Sequence, residues 1–211
     1  MRVLALDTET GGLDPRCNAI VSLGAVVWSG GAVVAEKEWL IADAEGTHED
    51  AAMRVNGYTR EMCIEQGQGA LSTWLDFRGF VHTHCDTDPR RVVPVGHNVA
   101  FDIGFIQRLA RLAGETDPRV AVEGLIGRRP LDTMVVARFF QFCGILPAGL
   151  PCSLAGLLTR YLPELGPQRH TALDDARRTA MLLDKLEDEL HHTARALAFY
   201  DREHHDVGGE G

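Results

Sequence analysis

The chain has 211 residues, 45% of them hydrophobic, and a formal net charge of −9. That length and apolar content fit one domain whose core needs no disulfide or structural metal, and they exclude a disordered chain. The acidic balance taken alone argues against a protein that coats nucleic acid through a broadly basic surface, but not against an enzyme that meets phosphate through cations held by its own carboxylates.

In chain order, residues 3–6 form a short apolar run, read as a buried strand. Residues 20–28 and 33–40 are β-branched and apolar, and Ser29-Gly30-Gly31 between them is a hairpin signal. Residues 48–85 read as mostly helical, with Leu71, Trp74, Leu75 and Phe77 as an apolar stripe. Residues 83–94 read as a loop, and 92–95 as a short strand. Phe101, Phe105, Leu109 and Leu112 recur at helical spacing over 101–113. Residues 131–142 read as a helix after a short strand, and Leu154, Leu157, Leu158 and Tyr161 mark another helix. Apolar positions 172, 176, 183, 186 and 190 make 172–190 the clearest amphipathic helix, and from Asp201 the chain reads as a frayed polar tail. Strands come first and helices then alternate with them, which is the α/β pattern with a mixed sheet. No linker divides the chain, so residues 1–195 are expected to form the domain and 196–211 a C-terminal extension with a flexible end.

Nothing is long and apolar enough to span a membrane, and the N-terminus meets Asp7 too early for a signal peptide. The five cysteines are widely spaced, without a Cys-x-x-Cys pair, as expected of reduced thiols in a cytoplasmic protein.

Three stretches concentrate acids where strands turn into helices, the places where α/β folds collect their sites. In Asp7-Thr8-Glu9-Thr10-Gly11-Gly12-Leu13, two acids at i and i+2 share one face of an extended strand. Carboxylates so placed resist ionisation together unless a cation lies between them. In Gly96-His97-Asn98-Val99-Ala100-Phe101-Asp102, the acid falls in the first turn of a helix. In His170-Thr171-Ala172-Leu173-Asp174-Asp175, a loop histidine precedes the long helix. On the helix wheel Asp175 shares a face with Ala172, Thr179 and Leu182 and points inward, whereas Asp174 lies about 100° away and is expected to be exposed. Each stretch alone has an ordinary structural explanation: a strand end facing water, an early acid complementing a helix dipole, a capping or solvated histidine. Together the oxygen ligands suit hard cations such as Mg²⁺ or Mn²⁺ rather than zinc.

Asp7-x-Glu9, Asp102 and His170-x-Ala172-x-x-Asp175, in this order, resemble the three motifs of the DEDDh, or DnaQ-like, exonuclease family. Leu131-Asp132-Thr133-Met134 and Ser153-Leu154 resemble further segments of it. The resemblance implies an RNase H-like fold, a mixed central sheet flanked by helices. It implies 3′–5′ exonuclease activity that releases nucleoside 5′-monophosphates from DNA or RNA ends, with two Mg²⁺ or Mn²⁺ ions held by Asp7, Glu9, Asp102 and Asp175 and His170 as general base. Thr10, Leu13, Asn98 and Phe101 would contact the substrate, with Leu13 as a wedge against the terminal base or as ordinary core, and Phe101 also serving the core. The implied partner is the 3′ end of single-stranded nucleic acid. A homodimer, to which Leu197, Phe199 and Tyr200 could contribute, and a DNA polymerase or repair partner are left open, although no clamp-binding peptide is visible. Two positions depart from the family's usual text: Gly11 stands where a second Thr is common, and Asn56-Gly57 where His-Gly is common.

Other readings compete. An exoribonuclease of the ribonuclease T or oligoribonuclease type shares every motif. A non-catalytic end-binding protein would normally lack one of the five motif residues. His82-Thr83-His84-Cys85-Asp86 resembles part of a zinc-hydrolase motif, but its next histidine position is Thr87.

Overall fold

The computed structural model describes residues 2–205, with side chains described as far as residue 196. A six-stranded sheet has the order β4-β3-β2-β1-β5-β6. It starts with three long antiparallel strands: β1 (Arg2–Thr10), β2 (Ile20–Ser29) and β3 (Ala32–Ala42). Gly30 and Gly31 form the tight turn of the second hairpin at φ 61° and 80°, a left-handed pair that side chains disfavour. Short strands β4 (Gln68–Gly69), β5 (Pro94–Gly96) and β6 (Leu131–Asp132) add in parallel to β3, β1 and β5. The sheet is therefore mixed, as the alternation of elements implied.

Helices cover both faces. Leu4, Leu6, Leu23, Val27 and Trp39 pack with α3 (Ala70–His84), α4 (Val99–Leu112) and α5 (Pro118–Ile126). Val3, Ala5, Val26 and Trp28 face α8 (Ala172–His205). Helices α6 (Thr133–Phe142) and α7 (Leu154–Tyr161) pack against α8 in a separate apolar cluster. Two short helices, α1 (Asp50–Asn56) and α2 (Arg60–Gln66), follow β3. No helix among the described residues is long and apolar enough to cross a membrane, and all five cysteines are free.

Several boundaries move. β1 continues past Leu6 to Thr10 because backbone pairing with β2 continues under the acids, as in Glu9 with Ser22. The short central strand is Pro94–Gly96 rather than 92–95, and α3 extends to His84. Within α3 the buried face is Thr73, Trp74, Phe77, Phe80 and Val81; Leu71 and Leu75 are exposed, because the aromatic rings around Trp39 set the helix's rotation. α5 was not anticipated, although Asp117 capping Val120 N and Pro118 at the first position are start signals. α8 continues to His205, beyond residue 190, and Leu190 is exposed. The side chains of Leu197, Phe199 and Tyr200, and all of residues 206–211, lie outside what the structure describes.

Candidate active site

The alternation of β1 decides where its acids go. Val3 and Ala5 pack on α8, so Asp7 and Glu9 continue that face toward the helix's first turn. Asp175 meets them there, and ligand oxygens of Asp7, Glu9 and Asp175 all lie within 4.8 Å of one another. Asp175 is buried beside Ala172, Thr179 and Leu182, as the helix wheel indicates. Asp174 turns away but is not free in solvent: it accepts from Arg178 Nε at 2.7 Å.

Such an approach needs a gap in the sheet. Asp7, Gly24 and Glu38 stand side by side across β1, β2 and β3, on the α8 face. A Cβ at Gly24 would lie 2.3 Å from the carbonyl of Ala172, so only glycine lets the start of α8 settle on the strand. Glu38 then accepts from Leu173 N at 3.3 Å and caps a free amide of that helix. Glu36, two residues earlier, holds Arg177 at 2.8 and 3.0 Å.

Asp102 approaches from the other face of β1, at the start of α4. It is buried, and its Oδ1 accepts from Thr8 N at 2.9 Å and from Thr8 Oγ1 at 2.8 Å. It lies outside the three-residue cluster, yet close enough for its charge to act on Asp7. Asp132 fixes the start of α4: its carboxylate accepts from Asn98 N and Val99 N at 3.1 and 3.0 Å while capping Met134 N of α6 at 2.9 Å.

The electrostatics are those of crowded acids without a paired Lys or Arg. Burial, then the charges of Asp102, Asp175, Glu9 and Glu38, hold the Asp7 carboxyl well above the ordinary range. Glu9 is pushed up to about 8, by burial first and then by Asp175, Glu38 and Asp102. Burial raises Asp102 to about 7 against the opposing hydrogen bonds from Thr8. Burial also raises Asp175, against a hydrogen bond from Gln168 and the nearby charge of His170. No Lys or Arg among the described residues forms an ion pair with any of these four acids. An all-oxygen set that resists ionisation and has no Lys or Arg ion-paired to it fits one or more hard divalent ions.

Around the acids, His170 is exposed on the loop before α8, in a left-handed conformation at φ 52°. Leu13 is 82% exposed, which removes the core-packing reading. Thr10 is buried; its hydroxyl donates to Gly12 O at 2.7 Å, and its carbonyl accepts from Asn56 Nδ2 at 3.1 Å. Asn98 is exposed at φ 67°, and Phe101 is half-buried against the core with its ring 5.0 Å from that of Phe105. The two departures from the family text now have local reasons. A Cβ at Gly11 already meets Thr47 O at 2.5 Å, so a threonine there would require the neighbouring loop to move. Asn56 ties α1 to the end of β1 through that hydrogen bond to Thr10.

Sequence reasoning missed Gly24, Glu38 and Tyr58. The hairpin register could have found the first two, since a two-residue turn at Gly30-Gly31 fixes which residues stand beside Asp7. Tyr58, whose hydroxyl pKa is raised by burial and by the charges of Glu38 and Glu9, had no such signal. The histidines of the zinc reading do not converge: among the described residues the only group of metal-capable side chains is Asp7, Glu9 and Asp175.

The family described as Exonuclease (RNase T) matches residues 4–183. The DNA polymerase III PolC-type of Thermotoga maritima is 30% identical over 187 residues, covering 85% of this chain but 11% of the polymerase. The DNA polymerase III subunit epsilon of Rickettsia conorii is 29% identical over 184 residues, covering 83% of this chain and 69% of that protein. Among solved structures, E. coli Exonuclease I in complex with a dT13 oligonucleotide superposes with a TM-score of 0.71 at 16% identity, covering 93% of this chain and 43% of that one. The Exonuclease I of Methylocaldum szegediense gives 0.67 at 19% identity, with 88% and 40% covered. The chain thus spans about a ninth of the PolC-type polymerases and less than half of the Exonuclease I chains it resembles. These likenesses identify the fold as RNase H-like, with the mixed sheet expected from the sequence.

Proposed function

The chain belongs to the RNase T exonuclease family, and on that premise we propose that it removes nucleotides one at a time from the 3′ end of single-stranded DNA, releasing nucleoside 5′-monophosphates. The observation that carries this reading is the convergence of Asp7, Glu9 and Asp175 within 4.8 Å, with none of the three in an ion pair with a Lys or Arg among the described residues. DNA is favoured over RNA because the matched relatives include DNA polymerase III proteins and a neighbouring fold holds a dT13 oligonucleotide. The polymerase relatives also make a role in editing or repairing DNA ends the reading to test first.

Asp7, Glu9 and Asp175, with Asp102 reaching the cluster from α4, would hold two Mg²⁺ or Mn²⁺ ions. Bound divalent ions supply the positive charge that lets water attack a phosphodiester already carrying negative charge. A ring nitrogen of His170 takes the proton of the attacking water, a role suited to an imidazole near neutral pH. Its exposed loop position leaves the ring free to reach a substrate lying over the acids. Leu13 packs its apolar side chain against the terminal base. Thr10 at the end of β1, and Asn98 and Phe101 at the start of α4, contact the last nucleotide. Asp102 keeps its orientation through its two bonds from Thr8.

The test is digestion of matched DNA and RNA oligonucleotides, each blocked at either the 3′ or the 5′ end, with Mg²⁺, Mn²⁺ or chelator. The expected result is release of mononucleotides from DNA with a free 3′ end, only with metal. Equal or faster loss of RNA would move the substrate to the exoribonuclease reading. Binding without release in any metal would favour the end-binding protein.

A further inference from the structure

We propose that Arg178 is a positioning residue for the reaction, a clamp that fixes the loop carrying His170. The inference rests on the reading of His170 as the general base. Residues 165–170 have no strand partner, so their carbonyls need donors from elsewhere. Arg178 supplies them from the first turns of α8. Its Nη1 donates to Gly166 O at 2.9 Å, and its Nη2 to Leu165 O at 3.2 Å and Pro167 O at 3.1 Å. Its Nε donates to Asp174 Oδ2 at 2.7 Å, so the charge is compensated although Arg178 is only 5% exposed. Burying a guanidinium is costly unless it is paired and hydrogen-bonded, and here four N–H···O contacts meet that requirement.

The loop then continues directly into the site. Gln168 Nε2 donates to Asp175 Oδ1 at 3.0 Å, and His170 follows two residues later with φ 52°. A histidine in the left-handed region is disfavoured and persists only where its surroundings hold it. The anchors on either side of that strain are Arg178 and Gln168 before it and the start of α8 after it. The Asp174-Asp175 pair therefore divides its work. Asp175 faces the other acids, and Asp174 holds the arginine that fixes the loop. A planar fork can reach three successive carbonyls and a carboxylate at once; the point charge of a lysine cannot.

The experiment is a double-mutant cycle on oligonucleotide digestion with His170→Ala, Arg178→Lys and the double variant, with amide hydrogen exchange on Arg178→Lys. Arg178→Lys is expected to lower kcat on the order of 10²-fold, the size of effect that small misplacement of a reacting group produces. KM and the affinity for Mn²⁺ in titration calorimetry are expected to stay within about twofold, since Lys keeps the charge next to Asp174. In the His170→Ala background the same substitution is expected to cost nothing further, and residues 165–170 alone should exchange faster. Losses that multiply, an undiminished kcat in Arg178→Lys, or unchanged exchange of the loop would overturn the clamp. Full activity of His170→Ala alone would overturn the base assignment itself, and the clamp's purpose with it. Asp174→Asn, which loosens the clamp from its other side without removing the arginine, is expected to lower kcat in the same direction and should fold if Arg178→Lys does not.

Discussion

Two carboxylate sites, both folded into the domain, are treated in opposite ways. Asp43 lies at the end of β3 and is fully buried, yet each of its oxygens accepts two hydrogen bonds. Arg108 donates to both at 2.6 and 3.1 Å, Ile20 N gives 3.1 Å and Gly46 N 3.0 Å. Arg108 also donates to Pro15 O and Arg16 O, so the pair locks the loop after β1 to α4. Asp7 is surrounded instead by Asp102, Asp175, Glu9 and Glu38, and no cation among the described residues is paired with it. The same side chain is a finished structural joint in one place and an unsatisfied demand for positive charge in the other. Burial alone therefore does not mark a functional acid; burial among like charges does.

The largest effect is expected at Asp7. Asp7→Asn removes a proposed cation ligand, and the several kcal/mol that such ions contribute to phosphodiester attack translate to an expected loss on the order of 10³-fold in kcat. Stability in chelator should hold or rise, because one repelling charge is gone. Gel-based digestion and thermal melts check both.

Asp43→Ala should do the reverse in stability. Leaving Arg108 buried without its partner should cost about 3–5 kcal/mol in urea unfolding, and a loss under about 1 kcal/mol would mean that the pair is not the joint described.

The pH dependence sharpens the contrast. Glu9 has its pKa raised from 4.5 to about 8 in the folded chain. Between those values the folded protein retains a proton that the unfolded chain has lost, so stability from this group is full below pH 4.5 and fades as pH rises toward about 8. In chelator, the melting temperature of the wild type should therefore fall relative to Glu9→Gln across that window. Saturating Mn²⁺ should abolish the decline, since a bound cation favours the ionised carboxyl. A flat difference in chelator would contradict the account.

The smallest effect on folding is expected at Leu13. Its exposed side chain should cost less than about 0.5 kcal/mol of stability when changed to Ala. If it covers the terminal base, KM for single-stranded DNA should rise by roughly tenfold, the equivalent of about 1.5 kcal/mol of buried leucine. An unchanged KM would place Leu13 outside the substrate's path.

The direction in which Asp7, Glu9 and Asp175 point was legible because local geometry sets it, whereas their union with Asp102 in one site was implied only by the resemblance of the three motifs. The i, i+2 spacing of Asp7 and Glu9 needs only an extended strand, and the choice of Asp175 over Asp174 needs only a helix wheel. The joint at Asp43 was not legible, since 65 residues separate it from Arg108 and neither sits in a motif. The same holds for Arg178 and Gly24, whose roles depend on a loop's carbonyls and a helix's approach rather than on their neighbours in sequence. Leu71 and Leu75 misled for a related reason: a helical stripe gives the period of a buried face, but the aromatic partners across the interface choose its angle. Strand length was underestimated at β1 because hydrophobicity stops at Leu6 whereas backbone pairing does not.

The most direct measurement is anomalous diffraction from crystals soaked in Mn²⁺. Manganese density is expected among Asp7, Glu9 and Asp175, none at Asp43, and no such density in Asp7→Asn crystals. Crystals of active protein in which those three carboxylates lie apart, or bind no manganese, would contradict it.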